Sequence, residues 1–331
     1  MKILITGATG FIGAHLIRHL SKQGHKIIAW SRPAKPPAGL EKYAKYTSVD
    51  LLENVPAIEV DACIHCAGYA HDIGDWDTFY QNNVQTTINL FSAVSTNRWV
   101  NISSASVYPL LSKVIEEEDI DVNKFPSLYG KSKYVAEQWI KDHMRPEQSI
   151  INLRPRGVYG SNDRTLLPRI LNQGKSGTVK LPGGGRVRLS MTHISNLVQA
   201  VDLSLQSNRH GFHVYNVADK EAYLLRDVFQ KMNEGFLNKE VRIKDVSIQF
   251  VRSLISISSL FGKAYPITMQ AFDYITTPSI IRIEKIKTEL DYQPKTDFYG
   301  TVDSITTWAK SVAPEKLYTA HRDLAWFNYV E

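Results

Sequence analysis

Apolar, largely β-branched runs recur through the first half of the chain, at residues 3–6, 26–30, 46–49, 62–66, 99–103 and 149–154. Between the first two runs the apolar positions switch to helical spacing, at Phe11, Ile12, Leu16, Ile17 and Leu20. Strand alternating with helix is the pattern of a parallel sheet covered on both faces, so the fold class expected is α/β with a doubly wound parallel sheet. The first helix should end near Gly24, and Pro33, Pro36, Pro37 and Gly39 mark a surface loop after the second strand. Beyond Gly160 the pattern loosens. There the sequence predicts a tight loop at residues 182–185, a helix over 195–205 and a strand over 212–217.

The turn after the first strand reads Gly7-Ala8-Thr9-Gly10-Phe11-Ile12-Gly13. Glycine there permits a tight turn, a close approach of backbone to a pyrophosphate and close packing of helix on strand, so the phosphates of a dinucleotide would sit on free N–H groups at a helix N-terminus. A lone glycine pattern is weak; this one follows a strand and opens a helix, which is the context it requires.

A second constellation lies at Tyr129-Gly130-Lys131-Ser132-Lys133, with Ser104 at the end of an earlier strand. If residues 129–143 form a helix, Tyr129 and Lys133 project from one face a turn apart. An acid or base role for tyrosine at neutral pH asks for roughly 4 kcal/mol of phenolate stabilisation. One ammonium about 4 Å away supplies that order at an effective dielectric constant of about 20, so Lys133 is expected to bring the hydroxyl into range. Ser104 can donate to a carbonyl oxygen as charge develops there.

Composition narrows the class without adding chemistry. The 331 residues carry a formal charge of +6 from scattered Lys and Arg, which reads as a solvated basic surface that suits an anionic ligand and not as a nucleic-acid site. Cys63 and Cys66 are the only cysteines; three apart in a strand they face opposite sides of a sheet, and two buried structural thiols are expected in place of a redox or metal site. Residues 246–262, the most apolar later stretch, are too short and too interrupted by Arg252 for stable membrane insertion. With no signal-peptide pattern at the start, a cytoplasmic protein is expected.

These motifs, with His65-Cys66-Ala67-Gly68, Asn83-Val84, Ser103 to Tyr108, Leu153-Arg154-Pro155 and Val158-Tyr159-Gly160, make the chain resemble the extended short-chain dehydrogenase/reductase family, which holds nucleotide-sugar epimerases and dehydratases and 3β-hydroxysteroid dehydrogenase-like enzymes. The resemblance implies a Rossmann dinucleotide-binding domain at 1–165, with 195–218 returning to it, a smaller substrate-binding α/β region at 166–194 and 219–312, and a tail at 313–331 whose role is not readable. It implies Ser104, Tyr129 and Lys133 as the catalytic set, Lys133 also holding the nicotinamide ribose, with Asn83 in support. For the cofactor it implies Gly7, Gly10, Phe11, Ile12 and Gly13 on the phosphates, Asp50 and Leu51 on the adenine, Ala67 and Gly68 along the dinucleotide, and Pro155 by the nicotinamide. Members selective for NAD place an acid at the end of the second strand; this chain has Trp30-Ser31-Arg32, so Ser31 and Arg32 favour NADP over NAD.

The activity so implied is hydride transfer between a nicotinamide and a secondary alcohol or ketone. A nucleotide-sugar substrate is favoured, with Arg188 the candidate to grip a diphosphate, although it stands one residue further from His193 than the family pattern. The alternatives are a sterol-like or alkyl ketone, whose pocket residues 250–260 could wall, and a non-catalytic dinucleotide sensor. His193 is expected to be structural. A homodimer is expected, pairing residues 83–94 and 129–143 across its axis.

Overall fold

A computed structural model of the chain describes residues 1–110, 114–260 and 267–318, together with Trp326; most of the tail 313–331 thus lies outside the described residues. Seven parallel strands make the central sheet. In chain order they are β1 (Lys2–Thr6), β2 (Lys26–Ser31), β3 (Lys45–Ser48), β4 (Ala62–His65), β5 (Arg98–Ile102), β6 (Ser149–Pro155) and β7 (Gly211–Val217). Across the sheet they run β7-β6-β5-β4-β1-β2-β3. β1 therefore has β2 on one side and β4 on the other, and strand order reverses between them. A crevice opens beyond the carboxyl ends of strands at such a point.

The helices that position the site are α1 (Phe11–Lys22), α2, α3 (Leu128–His143), α4 (Leu166–Gly174), α5 (Ile194–Gln206), α6 (Leu225–Leu237), α7 (Ile248–Leu260), α8 (Met269–Thr276) and α9 (Phe298–Ser311). Helix α2 is three segments run together, Trp76–Phe79, a π-helical turn Tyr80–Gln85 and Thr86–Ala93. It begins earlier than the helix expected from Asn83, and its wide turn carries Asn83.

Alternation along β1 explains the two covered faces. Ile3 and Ile5 pack with Leu16, Ile17, Leu197 and Val201 of α1 and α5, whereas Leu4 packs with Cys63, Trp99, Leu90 and Ile140 on the side of α2 and α3. Burying each such side chain contributes about 1.5–3 kcal/mol. All seven residues of β6 are buried, as a strand covered on both faces requires.

After β6 the chain leaves the sheet. α4, α6 and α9 pack around a separate core of Leu167, Ile170, Val228, Met232, Phe298, Val302 and Trp308, beside a parallel pair formed by Thr178–Pro182 and Arg242–Val246. The chain returns through α5 to β7, which pairs with β6 along its whole length.

Candidate active site

Strand β1 ends at Thr6, and Gly7 turns the chain with φ of 66°, a left-handed conformation that favours glycine. A Cβ on Gly7 would lie 2.8 Å from the backbone of Cys66 and Ala67, so the turn also crosses the end of β4 too closely for any side chain. On Gly13 a Cβ would come within 2.4 Å of the Gly7 carbonyl oxygen. Gly10 caps α1 without a side-chain hydrogen bond, and no acid stands in the first turn. The N–H groups of Phe11, Ile12 and Gly13 have no intrahelical acceptor. This is a cradle shaped for a diphosphate, and the residues present fit a dinucleotide cofactor.

A hydrogen-bonded chain holds the turn in register with its neighbours. Thr6 Oγ1 lies 2.7 Å from His65 Nδ1, His65 Nε2 lies 3.0 Å from Thr87 Oγ1 on α2, and the Ala67 N–H donates to Thr6 Oγ1. Burial, then the charge of Lys133, pushes His65 down to about 3, so it serves as a neutral strut. At the end of β2, Thr9 Oγ1 and Ser31 Oγ are 2.8 Å apart, and exposed Arg32 reaches Asn82 Oδ1 at 3.5 Å. Asp50 accepts from the Leu52 N–H, and the buried Leu51 accepts through its carbonyl from Asn89 Nδ2.

Ser104 follows two residues after β5 and caps a short 3₁₀ turn, accepting from the Ser106 N–H at 3.1 Å. Ser127 caps α3 through the Gly130 N–H. A Cβ on Gly130 would stand 1.9 Å from the Ser106 carbonyl oxygen, so the bare glycine lets α3 press onto the serine turn and brings Tyr129 to Ser104. Asn83 ties a third segment in: it accepts from the Tyr69 N–H at 2.6 Å and donates to Ser132 Oγ at 2.8 Å. A Cβ on Gly68 would meet Asn83 Oδ1 at 3.2 Å, with Lys133 Nζ at 3.9 Å. Ser104, Tyr129, Lys133, Gly68 and Pro155 line one cleft with Gly7, Gly10, Phe11, Ile12 and Gly13.

The electrostatics differ from the sequence expectation. Burial pushes the Tyr129 hydroxyl up to about 12; its hydrogen bond with Ser104 pulls the other way, and Tyr274 adds to the rise. Burial also lowers Lys133 to about 8, opposed by Glu137 and Cys66. Burial therefore sets the phenol, which stays far from neutrality, and Lys133 does not bring it down. Tyr129 is a neutral donor at pH 7 beside a lysine that still holds its proton. Cys63 is buried in the core as expected, but Cys66 is half-buried and lines the cleft, burial first holding its thiol up at about 12.

The cleft encloses about 1070 Å³ and runs from the glycine turn past Tyr129 to α4, α6 and α8. On these helices its lining mixes apolar Leu166, Ile170, Val228, Phe229 and Ile275 with polar Arg169, Asn172, Gln173 and Gln270. Residues 250–260 do not line it, and Phe250 of α7 is 62 % exposed. Arg188 also stands outside, exposed and donating to the Ala222 carbonyl at 2.6 Å. His193 contacts Ser195 Oγ through Nδ1 at 2.7 Å, and its backbone N–H donates to Asp219. Three cleft residues were not singled out from the sequence: Arg156, Arg169 and Tyr274. Arg156 directly follows Pro155, which was a signal for it; Tyr274 sits on a helix in the loosely patterned half, where nothing marked it.

The sequence profile of the NAD dependent epimerase/dehydratase family matches residues 3–218. The chain belongs to this family. It is accordingly an enzyme of the extended short-chain dehydrogenase/reductase group. The 2-alkyl-3-oxoalkanoate reductase of Stenotrophomonas maltophilia is 25 % identical over 89 % of this chain and 95 % of that protein. The UDP-glucose 4-epimerase of Haemophilus influenzae is 27 % identical over 70 % of this chain and 83 % of that one. Among solved structures, the UDP-glucuronic acid 4-epimerase of Bacillus cereus in complex with NAD superposes with a TM-score of 0.74 at 20 % identity, over 96 % of this chain and all of that one. That last likeness concerns the fold.

Proposed function

We propose that this enzyme is an NAD(P)-linked reductase, or in reverse a dehydrogenase, of a secondary alcohol or ketone carried on an apolar body. The observation that carries this reading is the set of apolar side chains, Leu166, Ile170, Val228, Phe229 and Ile275, that line the cleft together with Tyr129. Arg188, the residue that would have gripped a nucleotide-sugar diphosphate, is turned to the Ala222 carbonyl outside the cleft. The likeness to 2-alkyl-3-oxoalkanoate reductase supports the same class.

When bound, the nicotinamide supplies or accepts the hydride. The chain's own groups handle the oxygen. Ser104 and the neutral Tyr129 phenol both donate to the carbonyl oxygen, and Tyr129 passes its proton there as that oxygen becomes an alkoxide. Lys133, still protonated at neutral pH, stabilises the phenolate left behind. Asn83 holds the Gly68–Tyr69 backbone against Ser132 and so fixes the spacing of the lysine helix. Burial keeps the Tyr129 phenol protonated at neutral pH, the form that the reductive direction needs. Ser31 and Arg32 favour NADP, since a hydroxyl and a cation complement a 2′-phosphate. A homodimer through the helices at residues 83–94 and 129–143, and a cytoplasmic setting, complete the reading; among the described residues no helix is long and apolar enough to cross a membrane.

A nucleotide-sugar epimerase is the second reading, favoured by the likeness to UDP-glucose 4-epimerase. Denaturing the purified protein and analysing the released nucleotides separates the two. An empty site, with NADPH consumed on addition of a 2-alkyl-3-oxo acid, is the expected result. Stoichiometric retained NAD, with interconversion of UDP-sugars and no NADPH consumption, would replace the reductase reading with the epimerase one.

A further inference from the structure

We propose that Arg156 and Tyr274 form a carboxylate subsite next to the reacting carbonyl, so that the substrate is an oxo or hydroxy acid whose apolar remainder lies along α4 and α6. This deepens the reductase reading and rests on it for the position of the carbonyl.

Two arginines, two residues apart, frame the argument. Arg154, 3 % exposed, spends its whole guanidinium inside the protein: Nε and Nη2 donate to the two carboxylate oxygens of Glu137, and Nη1 donates to Tyr108 and to the Glu117 carbonyl. Arg156 lines the cleft and makes no hydrogen bond or ion pair through its guanidinium with a carboxylate among the described residues. It lies instead over the Tyr274 ring, 4.8 Å from the centroid. Its backbone is clamped, the N–H donating to Thr192 Oγ1 at 3.1 Å and the carbonyl accepting from the same hydroxyl at 2.9 Å. The side chain is thus carried by the strand end and laid over Tyr274.

Tyr274 supplies an independent observation. Its hydroxyl oxygen is buried and makes no hydrogen bond of good geometry among the described residues, although it stands near enough to the Arg156 guanidinium to help hold that charge. A buried polar group left unpaired costs about 1–3 kcal/mol, so this oxygen is a place where a ligand group gains. Tyr274 stacks under Arg156 and lines the same cleft as Tyr129 and Ser104, so the anion site and the carbonyl site open into one space. Burial pulls Arg156 below its ordinary value, with Tyr274 restoring part of it; an anionic ligand group would restore the rest.

The surrounding charges agree. The one carboxylate among the described residues lining the cleft is Asp72, and it is already held by Arg169 at 2.7 Å. Lys133 and Arg156 are left as the cations facing the substrate side. The planar fork of Arg156 matches a carboxylate with two parallel N–H···O bonds, and the Tyr274 hydroxyl can donate a third.

The test is calorimetric titration of the NADPH-saturated protein, which cannot oxidise an alcohol, with 3-hydroxydecanoate and with its methyl ester, which keeps the alkyl chain and hydroxyl but removes the charge. The wild type should bind the acid at least about tenfold more tightly than the ester. Arg156→Met should erase that preference while leaving ester binding unchanged, Arg156→Lys should keep part of it, and Tyr274→Phe should reduce it by a smaller factor. Equal wild-type affinities, failure of both probes to bind, or an Arg156→Met protein with the preference intact would overturn the subsite. The wild-type comparison stands even if a variant fails to fold. Acid-selective binding that depends on Arg156 but comes with no NADPH-linked turnover would keep the subsite and remove the reductase reading; turnover of ketones and esters without acid preference would do the reverse.

Discussion

The two halves of the cleft are built on different terms. On the sheet side a run of polar side chains is tied to other segments: Thr6 to His65 and on to Thr87, Thr9 to Ser31, Asn83 to Ser132 and the Tyr69 backbone. On the helical side much of the wall is apolar, Arg169 is paired with Asp72, and Arg156 and Tyr274 line the cleft stacked on each other with no carboxylate on the Arg156 guanidinium among the described residues. The first half is set to one geometry before any ligand arrives, which suits a cofactor whose shape never varies. The second leaves its polar groups to be completed by what binds. Arg154 and Arg156 repeat the contrast at the scale of two residues, one neutralised inside the protein and one held out to the ligand.

The strongest way to break this comparison is to remove the proton donor that sits where the halves meet. Tyr129→Phe should lower turnover by about 10²- to 10⁴-fold with dinucleotide affinity unchanged, as read by steady-state kinetics and cofactor titration. Wild-type reduction should also fall as pH rises through about 8, where Lys133 loses its proton; a profile flat to pH 10 would detach the lysine from the chemistry.

Next in size, Arg154→Met should destabilise the fold by about 3–5 kcal/mol, because the Glu137 carboxylate, fully buried, loses its counter-charge. Arg156→Met should change stability by less than about 1 kcal/mol, since it breaks no ion pair of the described chain. Denaturant melts of the two variants compare the halves directly, and equal losses would erase the distinction. Between these in size, Arg32→Ala should cost about 1.5–3 kcal/mol of NADPH affinity while sparing NADH, measured by fluorescence titration; an unchanged preference would make Arg32 a surface residue only.

The same division decided what could be read from the sequence. Strands such as residues 3–6 and 149–154 lie in a parallel sheet buried on both faces, so they appear as unbroken apolar runs, and the glycine turn is fixed by close backbone contacts that exclude every other residue. Tyr129 and Lys133 were legible because helical spacing converts sequence distance into proximity. The π-helical turn at Tyr80–Gln85 left no mark, because one extra residue in a turn hardly alters apolar spacing. Tyr274 and Arg156 meet across more than one hundred residues of chain, and no local pattern encodes such a meeting. The effect of Lys133 on Tyr129 was misjudged for a related reason: Coulomb attraction can be estimated from four residues of helix, whereas desolvation depends on everything packed around them.

The order of the strands carries a cost during synthesis. β6 is complete at Pro155, yet the strand that covers its outer edge, β7, ends only at Val217, after the chain has built part of the helical half. At about 5–20 residues per second, a nascent chain holds six parallel strands with a fully buried-type edge unpaired for several seconds. Such an edge is a template for another chain. Chains stalled or cut within residues 156–210 would be the ones expected to aggregate, and the ribosome-bound intermediate of that length is where a chaperone would have the most to shield.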